Sequence, residues 1–148
     1  MKLDFLQRLP FGAGRVTHRI VSDAAAGPER TAAEAMLKRV LADLPEVLVA
    51  AVIGLSSGQP LASYTTSRDA NVTKICGYNA EVVRQTKQAL HALRLPNEQI
   101  DDILITLSGQ LHLLRPLPGG RQLLYLAVDS RDTNLALARA VIRACAGE

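Results

Sequence analysis

The chain has 148 residues, 48% of them hydrophobic, and a formal net charge of only +3. A chain of this length buries roughly 70% of its unfolded surface, so one hydrophobic core is enough to make it a single domain. The weak, scattered positive charge and the lack of tryptophan leave little for phosphate contacts or base stacking, which argues against nucleic-acid binding.

Membrane insertion, secretion and disulfide formation also find little support in the sequence. No run reaches the roughly 18 apolar residues of a membrane span, and Lys2, Asp4 and Arg8 interrupt the amino terminus where a signal peptide would be apolar. Cys76 and Cys145 are far apart and lie outside any Cys-x-x-Cys motif or Cys/His cluster. We therefore expect a soluble, cytoplasmic protein in which both cysteines are small buried side chains.

Residues 1–30 are predicted to be a leader, and residues 31–148 the folded domain. The leader contains helix-breaking glycines and prolines and has a basic excess, yet it holds both phenylalanines of the chain, Phe5 and Phe11. These lie among leucines at a spacing that fits a short amphipathic turn. Two interpretations stay open: a mostly disordered tail, or a segment that docks on the domain's own groove or on a partner.

The domain is predicted to open with a helix and a β-hairpin. Apolar residues at helical spacing cover residues 31–44, after the capping box Thr31-Ala32-Ala33-Glu34 and before a proline. The continuous apolar run over residues 47–55 is typical of a strand buried on both faces. Ser56-Ser57-Gly58-Gln59 is predicted to turn it into a second strand at residues 60–65.

Two more helices and a three-stranded meander complete the domain. The longest helix carries a predicted buried stripe from Val72 to Leu93. The meander has its strands at residues 103–107, 111–117 and 122–128. Asp132 or Thr133 is predicted to cap the last helix, whose buried stripe consists of Leu135, Ala138, Val141, Ile142 and Cys145.

The predicted order of elements is therefore α-β-β-α-β-β-β-α. We expect an α/β fold of the α+β type, in which a five-stranded, mostly antiparallel sheet has helices on both faces, as in profilin-like and longin-like domains. The two most continuously apolar strands, 47–55 and 123–128, are predicted to be central and adjacent. The edges are then residues 61–65 and 103–107.

The second edge predicts self-association. Edge strands are usually protected by charge, proline or a bulge, but this one is aliphatic, with only Asp101 and Asp102 before it. We expect it to pair antiparallel with its copy in a second subunit, with the long helix meeting its own counterpart about a twofold axis. The predicted dimer interface consists of Ile103, Ile105, Leu107, Tyr78, Glu81 and Gln85.

From about residue 31 to residue 146, the chain resembles the Roadblock family, the dynein light-chain type of domain that also occurs as small stand-alone bacterial proteins. The resemblance rests on the helix end Leu44-Pro45-Glu46-Val47, the hairpin from Val52 to Ser63, and the final helix opening Asn134-Leu135-Ala136-Leu137-Ala138-Arg139. The chain departs from the family at Ser56-Ser57, where an acidic residue commonly precedes the hairpin glycine.

The resemblance implies a dimerising, non-enzymatic domain without a cofactor. It also implies a scaffold, partner or activating protein for small Ras-like GTPases, with a homodimer or a pair of related domains as the assembly. The sequence has no phosphate loop of its own, so the chain is not expected to be the GTPase. An arginine inserted into the partner's site is one route to activation, but none is singled out, and four are expected to be solvated: Arg68, Arg84, Arg115 and Arg121.

Two other functions are weighed against this one. Gly54-Leu55-Ser56-Ser57-Gly58 matches a serine-hydrolase motif by letter, with Asp101 and His112 following in order, but a nucleophile elbow must turn from strand into helix and here a strand follows. A ligand-sensing module, or a purely structural dimerisation module, would also suit such a sheet. Small residues could leave a cavity for a ligand between sheet and helix: Ala50, Ala51, Ala62 and Ala127.

Overall fold

The computed structural model describes residues 19–44 and 46–147. Its elements are, in chain order, α1 (Pro28–Asp43), β1 (Val47–Gly54), β2 (Pro60–Thr65), α2 (Val72–Ala92), β3 (Ile103–Thr106), β4 (Gln110–Pro116), β5 (Gln122–Asp129) and α3 (Leu135–Cys145). This is the predicted order, and each strand begins and ends within one residue of its predicted limits.

All five strands form one antiparallel sheet in the order β2-β1-β5-β4-β3. The prediction that the two most apolar strands are central and adjacent is confirmed, since Ala50 of β1 lies opposite Leu126 of β5 and Val52 opposite Leu124. All four of these residues are fully buried. Central strands are covered on both faces, which explains why these two carry continuous apolar runs.

Helices cover both faces of the sheet, as predicted. On one face, α1 and α3 pack over a cluster that includes Leu37, Val40 and Ile142. On the other, α2 packs over a second cluster around Ala80 and Tyr125. Successive residues of each central strand contribute to opposite clusters because side chains alternate along a strand.

The first helix begins earlier than its predicted start at Thr31, so the capping-box prediction is wrong. α1 starts at Pro28, whose fixed φ suits the first helical position. The Thr31 hydroxyl is therefore inside the helix and donates to the carbonyl of Gly27 at 3.1 Å. Glu34 pairs with Arg30 one turn before it, at 2.9 Å, instead of reaching back to a cap.

In the two later helices, the spacing of apolar residues predicted which side faces the core, but not which residue caps the helix or how far along the helix the burial extends. Asn134, not Asp132 or Thr133, caps α3, because its side-chain oxygen accepts from the N–H groups of Ala136 and Leu137. In α2 the predicted stripe is buried only in its first half, and Leu93 is 67% exposed. A helix of 21 residues is about 32 Å long and outruns strands of at most eight residues, about 27 Å.

The last residues of the predicted leader contact the domain. Val21 forms an isolated antiparallel bridge with Ser63 of β2, and Ile20 packs against the cluster under α1. The division at residues 30 and 31 stays a prediction. Phe5 and Phe11, which carried the alternative of a docking segment, lie outside the described residues.

Candidate functional site

Strand β3 is an open edge of the sheet. Its inner side pairs with β4, where Ile103 lies opposite Leu114 and Ile105 opposite His112. Within residues 19–44 and 46–147, no strand pairs with its outer side, so its outward backbone groups are available to another chain. The strand reads Ile-Leu-Ile-Thr and has no charge within it to discourage such pairing.

The side chains of β3 alternate between the two core clusters. Ile103 and Ile105 are half-buried on the α2 side of the sheet, and Leu104 packs on the other side. Leu107, predicted as the last residue of this strand, lies just beyond it and is 49% exposed. Its N–H donates to the carbonyl of Gln110, which closes the turn into β4.

Tyr78, Glu81 and Gln85 form one exposed ridge of α2 because steps of three and four residues keep side chains on the same side of a helix. Tyr78 is 66% exposed. The Glu81 carboxylate accepts from the Gln85 amide at 2.8 Å and from the Arg84 guanidinium at 2.7 Å. These two donors, Gln85 first, lower the pKa of Glu81, so the ridge ends in a charged network satisfied within the helix.

The two margins of α2 differ in chemistry. On one margin, Arg84 donates to the carbonyl oxygen of Leu55 at 2.6 Å and ties the helix to the end of β1. On the opposite margin, Ile75 and Val82 are half-buried and pack against the same core cluster as β3. The sequence predicted Ile75 and Val82 only as core residues. The helical spacing of apolar residues does not show which of them lie at the edge of the core and stay partly exposed.

We call the apolar residues that α2 and β3 present on this side of the sheet the α2–β3 surface: Ile75, Tyr78, Val82, Ile103 and Ile105. Three of them belong to the predicted interface, and the structure adds the two on the margin of α2. Glu81 and Gln85 continue the α2 ridge, and Leu107 follows the end of β3. The structure thus presents all six predicted residues at its surface.

The open strand is held in place at its start. Asp102, directly before β3, accepts from Arg139 of α3 at 2.9 and 3.1 Å, and only 9% of its side chain is exposed. Arg115 of β4 donates to the carbonyl of Asp101 at 3.1 Å. The start of the strand is therefore fixed by contacts within the chain itself.

His112 lies one strand inward from the edge, beside Ile105. Its Nδ1 is 2.8 Å from the hydroxyl of buried Tyr125, and its Nε2 is 2.9 Å from the Gln110 side-chain oxygen. A neutral ring satisfies both contacts when Tyr125 donates to Nδ1 and Nε2–H donates to Gln110. Burial lowers the pKa of His112 and raises that of Tyr125 to about 12, so both groups are neutral near pH 7.

The rival catalytic constellation does not assemble. Ser56 is exposed in a turn that leads into β2, not into a helix. His112 is engaged by Tyr125 and Gln110, and Asp101 lies 3.9 Å from Arg143. Among the residues that the structure describes, no three His, Cys, Asp or Glu side chains cluster as metal ligands would.

Two of the four arginines differ from the expectation of solvated surface charges, Arg115 fully and Arg84 in part. Arg115 was predicted to be a solvated surface charge, but it is only 3% exposed, because it lies at the end of β4 and turns toward the residues before β3. Arg84 is partly buried, because its guanidinium group donates to the Glu81 carboxylate and to the Leu55 carbonyl. Arg68 and Arg121 are exposed, as predicted.

The alanines predicted to leave a ligand cavity are all fully buried in the core. Surface cavities of the described residues lie elsewhere, and two of them are at the ends of the elements. One, of about 870 Å³, lies between the start of α1 and the turn after β1, and the other, of about 650 Å³, lies beside the end of α2. None of the four lines either cavity: Ala50, Ala51, Ala62 and Ala127.

Solved structures share this arrangement of elements. MglB of Myxococcus xanthus superposes with a TM-score of 0.70 at 19% identity, over 83% of this chain and 88% of that one. An MglB with a tetrameric arrangement gives a TM-score of 0.70 at 18% identity, over 86% and 92% of the two chains. The Roadblock/LC7 domain from Streptomyces avermitilis gives 0.61 at 11% identity, over 79% and 90%.

The chain has the Roadblock fold. The element order and the α+β sheet architecture are those of the neighbours, so the resemblance noted from the sequence is confirmed at the level of fold. No protein-family model and no curated protein sequence matches the chain. Within the described ranges, every helix of this Roadblock fold is too short or too polar to cross a bilayer.

Proposed function

We propose that this Roadblock-fold protein is a non-enzymatic, dimerising regulator or scaffold that binds a small Ras-like GTPase in the cytoplasm and modulates its GTP hydrolysis. The observation that carries the proposal is the α2–β3 surface, an aliphatic open edge flanked by the half-buried margin of a long helix. A domain with this fold, no assembled catalytic site among its described residues and a surface suited to a second copy is better fitted to binding than to chemistry.

Dimerisation through this surface joins two kinds of interaction. Outward N–H and C=O groups of β3 pair with those of a second β3, which would continue the sheet across a twofold axis. The second interaction is burial of the half-exposed apolar residues against the same residues of the copy: Ile75, Val82, Ile103 and Ile105. Burial of apolar surface contributes about 25 cal/mol per Å². The tetrameric arrangement of one MglB supports self-association as a property of this fold.

The GTPase half of the proposal rests on the resemblance to Roadblock proteins and on the fold shared with MglB. The described arginines that are already held by the chain are poor candidates for insertion into a partner's active site: Arg30, Arg84, Arg115, Arg131 and Arg139. We therefore propose that none of these five is inserted, and that any stimulation of hydrolysis comes from positioning the GTPase's own residues or from an exposed arginine such as Arg68 or Arg121.

The test is a pull-down from the source organism's lysate with the tagged full chain, in parallel with GDP and with a non-hydrolysable GTP analogue. We expect a Ras-sized protein to be retained preferentially with the GTP analogue. Its hydrolysis rate is then measured with and without this protein, and with Arg68→Ala and Arg121→Ala as exposed arginine variants. Retention of other proteins only, with no GTPase in either nucleotide state, would replace the proposal with that of a purely structural scaffold.

A further inference from the structure

The opposite edge of the sheet, β2, is paired at one position by the chain's own backbone, as far as the described residues extend. Val21 N–H donates to the Ser63 carbonyl at 2.9 Å, and Ser63 N–H donates to the Val21 carbonyl at 2.8 Å. This reciprocal pair is one rung of an antiparallel ladder. No second rung forms next to it among the described residues, so the bridge is isolated.

Among the described residues, no backbone pairs with this edge one rung further along, at Thr65. Backbone groups of a strand point alternately to its two sides, and since those of Ser63 point outward, those of Thr65 do too. Thr66 fits this alternation, because its N–H points inward to the Leu48 carbonyl. An antiparallel segment in the register of Val21 would place Arg19 opposite Thr65, yet Arg19 forms no rung there.

Charged side chains line the groove beside this edge. Arg19 and Arg68 both line a groove of about 490 Å³ that runs along this edge, together with Asp23, Thr65 and Thr73. Two positive charges that share one groove are less favourable than an opposite pair, so an arginine is not the side chain best suited to the position opposite Thr65. An acidic residue there would face Arg68 with opposite charge.

We propose that β2 is a second docking edge, occupied in this structure by Ile20–Ser22 as a displaceable internal strap, and that it takes an extended segment of a partner protein. The partner segment adds antiparallel to β2, as Val21 does, with a branched aliphatic residue opposite Ser63 and an acidic residue opposite Thr65. Its backbone supplies affinity and these two side chains supply selectivity. This proposal rests on the β2 edge alone and needs neither the GTPase nor a dimer through β3.

The features expected of the partner segment are taken from the contacts that residues 20–22 make with β2. The strap's contacts are an extended backbone, the reciprocal pair through Val21, and Ile20 packed against the cluster under α1. Val21 keeps 44% of its surface exposed. A partner that reproduces these contacts and carries an acid in place of Arg19 would keep the strap's interactions and add an opposite charge to the groove that Arg68 lines.

The test uses the full chain and a fluorescein-labelled peptide with the sequence of residues 17–24, carrying glutamate at the position of Arg19. Val21→Pro removes the donor to Ser63 and opens the edge, and Ala25→Pro is the matched control in the same segment. By fluorescence anisotropy, we expect the peptide to bind Val21→Pro at least tenfold more tightly than it binds the unaltered chain or the control. Thr65→Pro, which removes an outward N–H at an edge, should abolish binding without unfolding the domain by circular dichroism.

Two further measurements keep the proposal open to contradiction. In Val21→Pro, hydrogen exchange of the Thr65 amide should slow when the peptide is added, and a peptide N-methylated at its valine should have no effect. The charge-swap variant Arg68→Glu, made in the Val21→Pro chain, should prefer the arginine-containing peptide to the glutamate-containing one.

Equal binding to the unaltered chain, Val21→Pro and Ala25→Pro would overturn the proposal. Association of Val21→Pro into larger oligomers by sedimentation, with no peptide binding, would instead assign the edge to a second copy.

Discussion

Asp102, directly before the open strand β3, accepts two hydrogen bonds from Arg139 of α3, at 2.9 and 3.1 Å. The side chain of Asp102 is 9% exposed and that of Arg139 is 38% exposed, so the pair is shielded from water on the carboxylate side. A bidentate arginine–carboxylate pair fixes orientation as well as distance. It therefore joins the start of the proposed interface strand to the helix layer on the opposite face of the sheet.

Removal of this pair should weaken both the domain and its dimer. Asp102→Ala is expected to lower the free energy of unfolding by about 1–2 kcal/mol, because two charge-assisted hydrogen bonds are lost while Arg139 can still reach water. Urea unfolding measures the stability, and sedimentation equilibrium measures the dimer. The control is Asp101→Asn, since the side chain of Asp101 is 80% exposed and lies 3.9 Å from Arg143, and it should change stability by less than about 0.5 kcal/mol.

A charge in the middle of β3 should prevent dimerisation. Ile105→Lys puts an ammonium group on the half-buried side of the α2–β3 surface, where pairing with a second copy would bury it unpaired. We expect a monomer, or an insoluble chain, by analytical ultracentrifugation. Thr66→Lys, which adds the same charge at an exposed position near the other edge, should leave the assembly unchanged. A dimer that tolerates Ile105→Lys would show that the subunits meet elsewhere.

His112 predicts how stability changes with pH. Because burial lowers its pKa in the folded state, the unfolded chain binds a proton more readily, and stability is lost as pH falls below the ordinary value of 6.5. The unfolding free energy should therefore decrease from pH 7.5 to pH 5. Carboxylates with lowered pKa act in the same direction, so the measurement is the difference between the unaltered chain and His112→Gln. That difference should shrink as the pH falls, and a difference independent of pH would contradict the assignment.

Two glycines that meet across α2 and the β1–β2 turn should respond in opposite ways to alanine. A Cβ on Gly58 would lie 3.3 Å from the Gly77 Cα, and Gly58 has a φ of +68°. Gly58→Ala should therefore destabilise the domain by about 1–2 kcal/mol. A Cβ on Gly77 would meet nothing within 4 Å, so Gly77→Ala should stabilise α2 by up to about 1 kcal/mol. Thermal unfolding of the two variants compares them directly.

The sequence by itself determined the order of elements, the central pair of strands and the two edges. Continuous apolar runs belong to strands covered on both faces, and this rule placed β1 and β5 correctly. Helical spacing likewise placed Cys76, Asn79 and Val83 in the core, whereas buried Ala80 was not part of the predicted stripe. These features follow from local patterns whose physical meaning does not depend on distant residues.

Only the tertiary structure decided how far along each element the burial extends and which distant residues contact it. Leu93 keeps the period of the stripe but is exposed, because α2 outruns the sheet. Arg115 has no local signal for burial, and its place is set by a contact with Asp101. The bridge from Val21 to Ser63 joins residues far apart in the chain. Such contacts depend on which surfaces meet, and a local sequence pattern carries no information about the surface opposite to it.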